Sequence, residues 1–254
     1  MSLDRRTFLG VAGLSALVVA GRSALEALAG AQGQEPAGTQ SPTRWAMVID
    51  PGKCAKVEGC TDCIAACDAA HNVPQLLERA HEVKWIWREP FARAFPDQAS
   101  PYSEEALTDR PVLVFCNHCD NPPCVRVCPT RATWKRRDGI VMMDWHRCIG
   151  CRYCVAGCPY GSRSFNWQDP RPHIKALNPS FPTRTKGVVE KCNFCEERLA
   201  RGELPACVAA CKEKALVFGN LEDGGSAVRL LLRTRYAIRR RPELGTGPAI
   251  FYLV

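Results

Sequence analysis

The run Cys148-Ile-Gly-Cys151-Arg-Tyr-Cys154-Val-Ala-Gly-Cys158-Pro159 decides how this chain folds. It reads C-x2-C-x2-C-x3-C-P, a thiolate spacing that suits an iron–sulfur cubane. Three thiolates on a short tight loop wrap three iron corners. The fourth cysteine sits on the turn leaving the loop and points to a neighbouring site. Pro159 has no N–H and a fixed φ, so it turns the chain away from the loop. Zinc is the competing reading, because C-x2-C pairs also hold zinc. Zinc sites come as two separated pairs, however, and here four cysteines fall within eleven residues.

Outward from this run the same pattern repeats. Cys54, Cys60, Cys63 and Cys67 are spaced x5, x2, x3, with Asp68 where a proline would stand. Cys116, Cys119, Cys124 and Cys128 are spaced x2, x4, x3 and followed by Pro129. Cys192, Cys195, Cys207 and Cys211 are spaced x2, x11, x3. These four quartets use all sixteen cysteines, and each ends in C-x3-C. Such an internal repeat sets the fold. Structural disulfides do not explain it, because adjacent C-x2-C cysteines bridge poorly. Covalent haem is excluded, because no C-x-x-C is followed by histidine: the next residues are Ile64, Asp120, Arg152, Val155 and Glu196. His71, His81, His118, His146 and His173 are therefore read as ordinary hydrogen-bonded or surface histidines.

The fold class expected is α+β. It comprises two ferredoxin-like modules of short helices and small antiparallel sheets, the second and third quartets nested within the first and fourth. Module A would span 44–110 plus 187–254, and module B 111–186. Strands are expected at Trp45–Asp50, Lys84–Arg88, Pro111–Phe115, Ala215–Phe218 and 249–254. A hairpin is expected around Asp138-Gly139, where glycine supplies the positive φ. Helix is expected over Ile64–His71, 196–201 and Ser226–Arg239. Residues 90–110 and 169–186, punctuated by prolines, read as loops.

The N-terminus reads as an address. Arg5-Arg6 precedes an apolar run from Phe8 to Ala20, too short for a membrane span. Ala27-Leu28-Ala29 fits a small-x-small cleavage pattern, with Ala29-Gly30-Ala31 as the alternative; an uncleaved anchor is the remaining option. Residues 1–29 thus form a Tat-type signal peptide, and 30–43 a flexible linker. A protein exported folded keeps its thiols from an oxidising compartment until they are metallated.

Net charge is +8, of which residues 1–29 contribute +1 and the remainder +7. A basic balance favours nucleic acid or an acidic partner. Four clusters at roughly −2 each would nearly cancel it, which removes the need for nucleic acid. Lys191, Arg147, Arg152 and Lys212 flank cysteines and are candidates for raising cluster potentials; solvated surface charge is the alternative for each. The arginines at 229, 233, 235, 239, 240 and 241 are expected to face a membrane partner or headgroups, or simply solvent. The sequence contains no P-loop, no G-x-G-x-x-G and no Ser/His/Asp arrangement, so nothing points to chemistry beyond electron transfer.

His71-Asn-Val-Pro74, Cys158-Pro-Tyr-Gly161 with Arg163-Ser-Phe-Asn-Trp167, and Thr185-Lys-Gly-Val-Val-Glu-Lys-Cys192-Asn-Phe-Cys195 carry a resemblance. With the quartets, they resemble the electron-transfer subunits of the DMSO reductase, polysulfide reductase and NrfC type, and most of all those of Dsr-type complexes of sulfur metabolism. The resemblance implies a periplasmic protein with four [4Fe-4S] clusters and no catalytic site of its own. It implies an integral membrane, quinone-interacting partner of the NrfD type, and a periplasmic multihaem cytochrome c beside it. A polysulfide-, tetrathionate- or DMSO-reductase complex and a zinc-stabilised interaction protein remain the alternatives.

The crossover rule of two-cluster ferredoxins then gives the ligand sets. Cys54, Cys60 and Cys63 take Cys211, and Cys192, Cys195 and Cys207 take Cys67. Cys116, Cys119 and Cys124 take Cys158, and Cys148, Cys151 and Cys154 take Cys128.

Overall fold

A computed structural model describes residues 42–98 and 100–254. The signal peptide and nearly all of the linker expected at the N-terminus lie outside the described residues. The chain forms an α+β fold of small sheets and short helices.

The largest sheet ties the two ends of the described chain together. Its strands are β1 (Trp45–Ile49), β8 (Leu216–Asn220), β9 (Ala237–Ile238) and β10 (Ile250–Leu253), in the order β8-β1-β10-β9. Residue alternation along a strand sends successive side chains to opposite faces. In β1, Met47 and Ile49 join the main core with Leu216, Phe218, Ile250 and Tyr252. Ala46 and Val48 face the other way and pack on Val228. That valine belongs to a helix, α2 (Ala227–Thr234), capped by the Ser226 hydroxyl accepting from Arg229 N–H.

Three two-stranded pairs complete the fold: β2 (Ile86–Pro90) with β3 (Pro111–Phe115), β4 (Thr133–Lys135) with β5 (Val141–Met143), and β6 (Ser164–Phe165) with β7 (Val189–Glu190). The second is the hairpin expected at Asp138-Gly139. The first and third join segments on either side of the expected module boundaries at 110/111 and 186/187.

Four expectations need correction. The sheets are not all antiparallel, because β1 runs parallel to β10. The helix expected to reach Arg239 stops at Thr234; Arg235 is extended, and the next residues pair with β10, a tertiary contact that outweighs helix propensity. Residues 90–110 are not plain loop: they hold short helical turns whose Ala94 and Phe95 are fully buried. Arg240 does not face a partner or solvent. It is buried, donating to the Ala94 carbonyl and pairing with Glu89.

At the centre lies a buried ion pair. Arg184 Nη2 and Glu190 Oε2 are 2.6 Å apart, with both side chains fully excluded from solvent. The guanidinium also donates to the carbonyls of His71 and Asn72, where the helix α1 (Asp62–His71) ends in a left-handed Asn72. Trp85, Trp145 and Phe181 surround it at 5.6, 5.6 and 5.7 Å. Glu190 further accepts from Trp85 Nε1 and Asn166 Nδ2. One pair thus fixes α1, β7 and the loops at 85 and 166, and β7 leads straight into Cys192.

Glu190→Gln leaves the Arg184 charge buried and unpaired. Loss of one partner of such a pair costs about 3–5 kcal/mol, which for a chain of this size lowers the melting temperature by roughly 10 °C. Thermal unfolding followed by circular dichroism checks this.

Candidate metal centres

All sixteen cysteines are free thiols, and they come together in four groups. Cys54, Cys60, Cys63 and Cys211 line one cavity of about 210 Å³, with Leu113 and Leu216 behind them. Cys116, Cys119, Cys124 and Cys158 line a second cavity. Cys128, Cys148, Cys151 and Cys154 line a third. Cys67, on α1, is fully buried; burial raises its thiol pKa most, and the nearby sulfurs of Cys192, Cys207 and Cys195 raise it further.

Local backbone explains how such short loops turn. Gly150, between Cys148 and Cys151, has φ +70°, and a Cβ there would collide with the Gly187 carbonyl. His118, Arg152, Phe194 and Cys195 also adopt left-handed conformations inside the cysteine loops. Single helical turns then present the later cysteines: Pro123–Arg126, Tyr153–Ala156 and Ala206–Ala209 carry Cys124, Cys154 and Cys207.

The surroundings are those of thiolates. The N–H groups of Phe194, Ala206 and Ala215 approach the sulfurs of Cys192, Cys195 and Cys211 at 3.4, 3.3 and 3.2 Å. Arg163 Nη2 donates to Cys124 Sγ at 3.1 Å. Burial raises Cys63 to about 11 and Cys119 to about 12. At Cys128 burial is outweighed by hydrogen bonds from Thr133, Thr130 and Ala132, and its pKa is lowered. Buried thiols raised in this way, Cys63, Cys67, Cys119 and Cys207 among them, lose their protons most readily to a cation that replaces them. Iron–sulfur ligation does this, since the ligand is the thiolate.

Two polar side chains are orphaned beside the second cavity. Asn117, between Cys116 and Cys119, has neither amide atom partnered although buried. His118 Nδ1 accepts from Val141 N–H, so Nε2 carries the ring hydrogen, and it too is buried without a partner. The Asn117 amide, orphaned among the residues that line a thiolate cradle, fits inorganic sulfide or thiolate sulfur as its partner. The residues present therefore fit a cluster.

The groups adjoin one another. Cys63 is close enough to add to the rise at Cys207, Cys116 to that at Cys192, and Cys124 to that at Cys154. His71 Nδ1 donates to the Cys67 carbonyl and Nε2 to Glu197. Burial would depress its pKa, but the Cys195 sulfur and Glu197 outweigh it and raise it to about 9. Both histidines are buried, His71 bonded at both ring nitrogens and His118 at Nδ1 alone.

The flanking cations separate. Lys212 and Arg147 are solvated, and Arg152 lies over Trp167 at 4.8 Å. Lys191 is 1 % exposed, which rules out the surface-charge alternative for this residue. Arg163, Asn117 and the Arg184–Glu190 pair received no role from the sequence; no local pattern marks a residue for burial by distant strands.

A family model for a 4Fe-4S dicluster domain matches residues 112–173 and 177–221. The chain is 40 % identical over 242 residues to the Hdr-like menaquinol oxidoreductase iron-sulfur subunit 1 of Archaeoglobus fulgidus, covering 86 % of each chain. It is 35 % identical over 237 residues to the menaquinone reductase iron-sulfur cluster-binding subunit of Nitratidesulfovibrio vulgaris, covering 83 % of this chain and 88 % of that one. It is 34 % identical over 255 residues to the NrfC protein of Escherichia coli, covering 99 % and 95 %. The chain belongs to the family of 4Fe-4S iron–sulfur subunits of oxidoreductases that includes these proteins.

Proposed function

We propose that this protein carries electrons through four [4Fe-4S] clusters as the DsrO-type subunit of a membrane-bound, quinone-linked complex of sulfur metabolism. The observation behind the proposal is the gathering of sixteen thiols into four adjoining groups. When bound, the clusters supply one-electron redox sites. In this reading the ligand sets are those of the crossover rule. Cys54, Cys60, Cys63 and Cys211 hold the first cluster, and Cys67, Cys192, Cys195 and Cys207 the second. Cys116, Cys119, Cys124 and Cys158 hold the third, and Cys128, Cys148, Cys151 and Cys154 the fourth. The proximity of Cys63 to Cys207, of Cys116 to Cys192 and of Cys124 to Cys154 supports that order.

The protein's own part is to bury the sulfurs, exclude water and aim N–H groups at them. It has no reaction centre beyond this. The menaquinol and menaquinone named for two relatives support the quinone link. An integral membrane subunit of the NrfD type would exchange electrons with the quinone pool, and a periplasmic multihaem cytochrome c would stand beside it. Among the described residues no helix is long and apolar enough to cross a membrane, so attachment would run through the partner. Arg5-Arg6 would send the protein to the periplasm by the Tat route.

Cys211→Ala damages the cluster of Cys54, Cys60 and Cys63 and spares the one held by Cys192. EPR of the reduced protein, compared with Cys54→Ala and Cys192→Ala, checks this. Loss of the same signal in Cys211→Ala and Cys192→Ala, with Cys54→Ala different, would refute the crossover. In a second experiment, changing Arg5 and Arg6 together to lysine retains the protein in the cytoplasm; fractionation reads the outcome, and normal export refutes the Tat assignment.

A further inference from the structure

Two cations are buried at the junctions between the cysteine groups, and neither is ion-paired with a carboxylate among the described residues. Lys191 is 1 % exposed and Arg163 4 %. Lys191 Nζ donates to the carbonyls of Val141 and Cys192. Val141 lines the cavity of Cys116, Cys119, Cys124 and Cys158, so the ammonium joins a carbonyl of that lining to the carbonyl of Cys192, while the side chain itself lines a separate cavity with Asn193 and Glu197. Arg163 lines the same cavity. Its Nη2 donates to Cys124 Sγ at 3.1 Å and Thr133 Oγ1 at 2.8 Å, and its Nη1 lies 3.7 Å from Met143 Sδ. It also reaches the Cys154 sulfur of the neighbouring quartet.

An unpaired buried charge is costly unless an opposite charge lies close by. Only the gathered sulfurs can play that part here. The quartet of Cys116 has Arg163 bonded to Cys124, Lys191 bonded to the Val141 carbonyl of its lining, and the orphaned amide of Asn117, while the neighbouring quartet has Lys191 beside Cys192 and the buried His71 beside Cys195. The cations near Cys54, Arg88 and Arg110, are partly exposed and screened by solvent. Cys148 and Cys151 have exposed arginines beside them. Positive charge and N–H donors in a dry site stabilise the reduced, more negative state of a cluster.

We infer that Lys191 and Arg163 are positioning residues that raise the redox potential of the cluster held by Cys116, Cys119, Cys124 and Cys158. The inference rests on the four-cluster reading above.

The test is an EPR-monitored redox titration of the full chain purified anaerobically, with Cys119→Ser identifying the component. Iron and sulfide content of the wild type tests the four-cluster reading separately. Lys191→Gln keeps a donor to both carbonyls but removes the charge, and Arg163→Gln does the same beside Cys124. Each moves that component to lower potential, whereas Lys191→Arg and Arg163→Lys hold it near the wild-type value. If one glutamine variant fails to load iron, the other decides. If both fail while the arginine and lysine variants load, the charge serves assembly of the cluster and not its potential, and the inference is overturned. Unchanged potentials in either glutamine variant that loads, or failure of all four variants, overturns it.

Discussion

The structure depends on keeping sulfur away from water. Burial raises the thiol pKa values of Cys67, Cys192 and Cys207 well above that of a free thiol, and their neighbouring sulfurs push them higher. A chain that crowds thiols in this way gains nothing from packing alone. Its cysteine loops make sense only with a cation that binds thiolate and offsets the desolvation. The left-handed residues in those loops, the N–H groups aimed at sulfur and the unpaired Lys191 and Arg163 all serve the same requirement.

The hydrocarbon core and the ion pair at its centre hold the loops in position. β1 brings the first cysteines beside β8, the strand that follows Cys211, so groups far apart in sequence share a cavity. Arg184 and Glu190 join the end of α1 to β7, and therefore Cys67 to Cys192. Isolated pairs of this kind add little net stability over a well-packed apolar core. Their value here is geometric: a guanidinium with fixed donors permits one arrangement of the surrounding carbonyls, tryptophans and carboxylate.

Much of this was legible in the sequence, and the parts that were not have physical reasons. The cysteine spacing specified the loops, because ligand geometry acts over a few residues. β3 and the hairpin at Asp138-Gly139 were legible from apolar runs and turn chemistry. The segment beyond Thr234 misled because its helical pattern is real, yet Ala237 and Ile238 gain more by pairing with β10. The pair β6–β7 is only two residues long on each side and leaves no period to read. Lys191, Arg163 and Arg240 look like surface residues locally; their burial is decided by strands and loops far away in the chain. The cysteines were therefore legible as candidate ligands, while the charges around them were not.

The central claim is that the thiols hold iron–sulfur clusters for electron transfer. The most direct measurement is the metal content of the anaerobically purified full chain, with EPR of its dithionite-reduced form. The account predicts about sixteen iron atoms and as many sulfides per chain, with interacting reduced [4Fe-4S] signals. Stoichiometric zinc with no visible absorption and no EPR signal would contradict it.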